Sequence, residues 1–252
     1  MSFINTTVVV TGAARGIGKA YAKGFAGLGA NVVATDISDC DAVVEEITAS
    51  GGTAMAHACD ISKMDQMTEL AAKTAERFGP AAVLINNAAL YGTLGGGRFD
   101  KLTEESWDAA MAVNVKGLWN AAKAFVPQMR ELGGGSIINI SSLAATYGLA
   151  YALHYTVSKA AVIGLTRGLA RELGRDRIRV NAIAPSAVLT EGTIEFMGEK
   201  YEKALDVIAS GQSIQRNLDS EDLVGTAIWL ASDASAMVTG QTIAVDGGTV
   251  FL

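Results

Sequence analysis

The sequence predicts one α/β domain, a doubly wound, Rossmann-type parallel sheet with helices on both faces. Three observations lead there. Short β-branched runs alternate with stretches of helical period throughout the 252 residues. The strand candidates are nearly continuous apolar runs, the pattern of strands covered on both faces. No linker, low-complexity segment or internal repeat breaks the alternation, so a single domain over 1–252 is the economical reading.

The elements follow in order. Residues 7–11 form a first strand, broken by Gly12-Ala13-Ala14-Arg15-Gly16. Ile17, Ala20, Tyr21, Phe25 and Leu28 then recur at helical spacing until Gly29. A second strand spans 31–36, a helix 41–50, a weaker strand 54–58, a helix 65–78 and a fourth strand 82–85. Further strands are expected at 136–140, 179–183 and 242–245. The helices between them run near 104–131, broken around 114–117, then 155–173 and 221–230. Ligands of such sheets bind outside the carboxyl ends of the strands, here after Thr11, Asp36, Ile85, Ile140 and Ile183.

Composition narrows the function classes. Half the residues are hydrophobic and 18% are charged, so the chain can bury a large core and is not disordered. Its 28 glycines against 3 prolines suit many tight turns. A net charge of −6 argues against nucleic acid as a partner. Cys40 and Cys59 make no disulfide framework, so a reducing cytoplasm is expected. The segment 1–10 has neither a basic start nor a long apolar run, and the charge-free stretches 79–97 and 133–156 carry too much Gly, Asn and Ser to span a membrane.

The first strand ends in Thr11-Gly12-x-x-x-Gly16-Ile17-Gly18. Glycines let backbone approach a pyrophosphate, and the helix that follows offers free N–H groups and the positive end of its dipole. The G-x-G-x-x-G spacing is absent, so the generic dinucleotide fingerprint is not met. Asp36 lies eighteen positions beyond Gly18, where a ribose-binding acid belongs; the competing role is a helix cap.

With Tyr155-x-x-x-Lys159, Ser142 thirteen positions before the tyrosine, Asn114 and Asn86-Asn87-Ala88, the chain resembles the classical short-chain dehydrogenase/reductase family. The likeness runs from the Thr11 turn to Val245-Asp246-Gly247-Gly248. It implies Tyr155 as the base for an alcohol proton while hydride passes to nicotinamide. A phenol ionises near ~10, and an ammonium about 4 Å away is worth roughly 4 kcal/mol at an effective dielectric of 20, so Lys159 is expected to bring Tyr155 toward neutrality. The resemblance further implies that Lys159 holds the nicotinamide ribose, Ser142 the reacting oxygen and Asn114 a relay water. It places cofactor contacts at Gly12, Arg15, Gly16, Ile17, Gly18, Asp36, Asp60, Ile61, Asn87, Pro185, Val188 and Thr190, and it implies a homotetramer.

Three departures stand out. Ala89 replaces the usual glycine of Asn-Asn-Ala-Gly, and Ser186 replaces the glycine after Pro185, as in relatives that act on aromatic or cyclic alcohols. Arg15 is common in NADP-using relatives and conflicts with Asp36, whose carboxylate would oppose a 2′-phosphate; NAD is the expected cofactor. His57 and His154 fall in no metal-ligand spacing, so no metal is expected, and His154 either packs or touches substrate. Arg167, Arg171 and Arg175 read as a solvated or subunit-facing stripe.

The substrate wall is expected from 90–99, 143–154 and a covering segment at 187–214, which supply Leu90, Tyr91, Leu94, Leu143, Tyr147, Leu149, Val188, Phe196 and Met197. Arg98 is the one cation in the first two, which favours an apolar secondary alcohol or ketone, cyclic or aromatic. The alternatives are a 3-oxoacyl-carrier-protein reductase, although Gly133 and Asp176 lie roughly where those relatives carry cations, and a non-catalytic cofactor-binding scaffold. The apolar tail 249–252 suggests burial at a subunit contact.

Overall fold

The computed structural model describes residues 1–251. Seven strands, β1 (Thr7–Thr11), β2 (Asn31–Asp36), β3 (Thr53–Ala58), β4 (Ala81–Asn86), β5 (Gly135–Ile140), β6 (Ile178–Pro185) and β7 (Thr242–Val245), form one sheet. Their order is β3-β2-β1-β4-β5-β6-β7 and every pairing is parallel. The chain winds outward from β1 to β3, then returns to place β4 on the other side of β1. That reversal leaves a crevice at the carboxyl ends of β1 and β4.

Alternate side chains of each strand enter opposite layers. Val8, Val10, Val32 and Ile138 pack against Tyr21 and Phe25 of α1 (Gly16–Ala26), Val43 and Ile47 of α2 (Asp41–Ala49), and Ala227 and Leu230 of a helix at Val224–Ala231. Val9, Val33, Leu84 and Ile137 face the other way. They meet Met67 and Leu70 of α3 (Met64–Phe78), Phe125 and Met129 of the helix Leu118–Glu131, and Val162 of the helix Leu153–Leu173. Both faces of the sheet are thus covered, which is why its central strands read as nearly continuous apolar runs, with Val8, Val9 and Val10 of β1 all buried.

The remaining elements depart from the pattern in instructive ways. The expected break near 114–117 is not a break: α4 (Glu104–Met111) passes through a π-turn at Ala112–Gly117 into α5 (Leu118–Glu131). The widened turn lets Asn114 reach backward, and Gly117 seats against Ile61, where an added Cβ would stand 2.6 Å from Ile61 Cδ1. A short α6 (Ala144–Tyr147) precedes α7 (Leu153–Leu173). The segment expected only to cover substrate contains α8 (Glu191–Met197) and α9 (Tyr201–Ser210). The last helix, α10 (Val224–Ala231), follows a 3₁₀ turn, Ser220–Leu223, closed by an Asp219/Asp222 capping box. Arg175 lies in the 3₁₀ turn after α7 rather than on it. No helix of the described residues is long and apolar enough to cross a membrane.

Candidate active site

The crevice is a cleft of about 680 Å³ lined by residues following five strands: Gly12 and Arg15 after β1, Asp36 to Ser38 at β2, Asn87 to Thr93 after β4, Ser141 and Ser142 after β5, and Pro185 to Val188 at the end of β6. Asp60 and Ile61 after β3, Tyr155 and Lys159 of α7, and Thr190 complete the set expected from the sequence, with Gly16 and Ile17 of α1. Of the residues named for cofactor and catalysis, Asn114 and Gly18 lie behind the lining. The cleft size is ordinary for a cofactor and a small substrate together.

The glycine end is built for close approach. Gly12 has φ +67°, and a Cβ there would meet Ala88 Cα at 2.7 Å. Gly18 faces the same turn, and its Cβ would stand 2.0 Å from the carbonyl oxygen of Gly12. Asn87 Nδ2 donates to Thr11 O at 3.0 Å and to Gly12 O at 2.9 Å, which pins the turn from the β4 side. α1 begins with neither a side-chain cap nor an acid in its first turn, so its leading N–H groups face the cleft unanswered by the chain's own carboxylates. These features fit a dinucleotide pyrophosphate. Gly18→Ala is expected to displace the Gly12 carbonyl, to cost about 1–3 kcal/mol of stability and to weaken binding of the reduced nicotinamide cofactor tenfold or more, read by thermal melts and fluorescence titration.

Asp36 caps no helix. Its carboxylate accepts the amides of Ala14 at 3.2 Å and Ser38 at 3.1 Å, and these hold it at the rim beside the glycine turn. Asp60 likewise accepts the Ser62 amide at 2.9 Å. Arg15 is not free: its guanidinium pairs with Glu195 of α8, Nη2 to Oε2 at 2.8 Å.

At the other end, Tyr155 and Lys159 share one face of α7 and are both buried. Lys159 Nζ donates to Ile140 O at 2.8 Å and lies 5.7 Å from the centre of the Tyr155 ring. The expected downward pull of Lys159 on the phenol is not seen. Burial raises Tyr155 above its ordinary value, Tyr91 adds to the rise, and the Ser142 hydroxyl opposes it. Burial also lowers Lys159, to about 8. Ser142 itself is oriented by the Ala144 amide, 3.1 Å from its Oγ. Asn114 is fully buried, accepts the Leu90 amide at 2.7 Å, and donates to Leu90 O and to Ser158 Oγ at 3.0 Å. It thereby ties the loop after β4 to α7.

The substrate end is aromatic. Tyr91 stacks on Phe196 with ring centroids 4.6 Å apart and lies 4.9 Å from the Tyr155 ring. Burial pushes the Tyr91 phenol up to about 12, so it stays neutral. Leu90, Tyr147, Leu149, Val188 and Met197 line the cleft as expected. Leu94 and Leu143 do not line it; both are buried beneath the wall. Arg98 points away, pairing with Asp100 on the surface. His154 is a packing residue whose Nδ1 accepts the Tyr155 amide at 2.9 Å. His57 sits on β3 and does not line the cleft. Ala89 and Ser186 both line it. Among the described residues no group of three His, Cys, Asp or Glu is placed to hold a metal. Sequence reasoning missed Thr193, Ile208 and the Glu195 partner of Arg15, all on α8 and α9. Their one signal was the helical period of those short segments.

The chain matches the family model described as enoyl-(acyl carrier protein) reductase over residues 12–250. It is 39% identical to a 3-oxoacyl-(acyl-carrier-protein) reductase of Thermotoga maritima, over 96% of each chain. A short-chain type dehydrogenase/reductase from Mycobacterium ulcerans superposes with a TM-score of 0.92 at 30% identity, over 99% of this chain and 91% of that one. A candidate NAD(P)-dependent gluconate 5-dehydrogenase from Beutenbergia cavernae, with NADP bound at low occupancy, superposes at 0.90 with 35% identity over 98% of each. The chain therefore belongs to the classical short-chain dehydrogenase/reductase family of nicotinamide-dependent oxidoreductases.

Proposed function

We propose that this oxidoreductase interconverts an uncharged apolar secondary alcohol, cyclic or aromatic, and its ketone, using NAD. The observation that carries this reading is the stack of Tyr91 on Phe196 beside Tyr155, an aromatic wall at the reacting end of the cleft. Arg15 and Lys159 are the only cations among the described lining residues, and Arg15 is already paired, so an anionic substrate has no free partner there. The nicotinamide supplies the hydride chemistry when bound. Tyr155 holds or releases the proton of the reacting oxygen, Ser142 positions that oxygen, and Lys159 lies in place for the ribose.

A second reading, reduction of a 3-oxoacyl thioester on a carrier protein, is the one that the names of the relatives back better than the first, since those of Thermotoga and Staphylococcus alike are named for it. Its acyl chain would suit the same apolar wall. An acidic carrier also needs positive surface, and exposed Arg171 and Arg175 at the far end of α7 offer some, although Asp176 pairs with Arg130 there. A screen decides: aromatic and cyclic secondary alcohols with NAD, against a 3-oxoacyl thioester with NADH and NADPH, all followed by nicotinamide absorbance. The first reading expects the highest kcat/KM for an aromatic or cyclic alcohol, and a thioester preference overturns it. Absence of turnover with every substrate would favour a cofactor-binding scaffold.

The assembly proposed is a homotetramer. Trp119 on α5 and Phe251 near the C-terminus are exposed apolar side chains of the kind subunit contacts cover; Leu252 lies outside the described residues. A monomeric mass by light scattering at micromolar concentration would reject it. The buried free thiols of Cys40 and Cys59 support a reducing compartment such as the cytoplasm.

A further inference from the structure

We infer that Glu195 is a specificity-determining residue that withholds Arg15 from the adenosine end of the cofactor, and so disfavours NADP alongside Asp36. The inference rests on the NAD reading above. Lys159 stands at the nicotinamide end with Ser142 and Tyr155, so Arg15 is the one lining cation near Asp36 that could grip a 2′-phosphate. Both terminal nitrogens of its guanidinium are turned onto the two carboxylate oxygens of Glu195. A forked guanidinium pairs with carboxylate or phosphate through the same edge, so the two partners compete.

Glu195 is held in place from two sides. Gly92 packs against it so closely that a Cβ on Gly92 would stand 2.3 Å from Oε2. The next residue, Phe196, is stacked on Tyr91. One short helix therefore places consecutive side chains on the cofactor turn and on the substrate wall. Glu191 of the same helix and Asp36 add further negative charge around Arg15. The pair is half-exposed, 51% for Arg15 and 39% for Glu195, so phosphate can compete with it but begins at a disadvantage.

The test is kcat/KM for NAD and for NADP with one common substrate, in wild type, Glu195→Ala, Arg15→Ala and the double variant. Alanine keeps the Cβ that rests on Gly92. Glu195→Ala is expected to raise kcat/KM for NADP about tenfold, the worth of one charge-assisted contact, and to change NAD less than about twofold. The gain should vanish in the double variant. Titration of NADPH fluorescence should show the same contrast in affinity. An equal loss for both cofactors would mark Glu195 as a structural clasp, and an NADP gain that survives without Arg15 would also overturn the inference. The wild-type NAD/NADP ratio tests the NAD reading separately, because the effect of Glu195 is read as a change on that ratio.

Discussion

Tyr155→Phe is expected to lower kcat about 10³–10⁴-fold while leaving folding and cofactor affinity near wild type. The ring remains to pack against Tyr91, so the aromatic cluster loses only a hydroxyl. No second acid or base stands ready: Ser142 is a weak acid, and His154 is buried with its Nδ1 occupied by the Tyr155 amide. Retention of more than about a tenth of wild-type kcat would remove Tyr155 from the role of base. The environment also sets a pH direction. Burial raises the phenol, so without cofactor it carries its proton at neutral pH. Reduction needs that proton and oxidation needs it gone. Oxidation should therefore rise as pH increases, and reduction should fall, in profiles of kcat/KM for the two directions. An oxidation rate that falls between neutral and alkaline pH would contradict the assignment.

Much of this site was legible because its chemistry depends on short-range spacing. Tyr155 and Lys159 are one helical turn apart, so a helix at 155–173 was enough to place them on one face. The strands were legible because a doubly covered sheet favours nearly continuous apolar runs, as Val8, Val9 and Val10 show. Strand order was not legible, since nothing local in β4 says that it returns beside β1. The π-turn was misread as a break because Asn114 and Gly117 are poor helix formers; the contacts to Leu90, Ser158 and Ile61 that hold it are all distant in sequence. The same limit hid the Glu195 partner of Arg15, 180 positions away. Tyr155 and Lys159 share one helix and line the cleft, yet the balance between burial and charge that governs the phenol depends on the packing around it, which spacing does not report.

Wild-type enzyme is expected to use NAD at least ~100-fold better than NADP in kcat/KM, a difference of about 2.7 kcal/mol. Asp36 is fixed at the end of β2 by the amides of Ala14 and Ser38. Those two bonds leave the carboxylate little room to swing away, so it can accept from ribose hydroxyls without first being ordered. A 2′-phosphate of about −1.5 to −2 charge would be brought against it, and like charges juxtaposed at a binding surface cost several kcal/mol. Arg15 could offset that cost only by abandoning Glu195. Asp36→Ala removes the repulsion and the ribose acceptor together, so the ratio should fall by about tenfold or more, through worse NAD use and better NADP use. The measurement is kcat/KM for both cofactors with one common substrate, in wild type and in Asp36→Ala. Equal or better use of NADP by the wild-type enzyme would overturn the role of Asp36, and it would move the thioester reductase reading ahead of the secondary alcohol dehydrogenase.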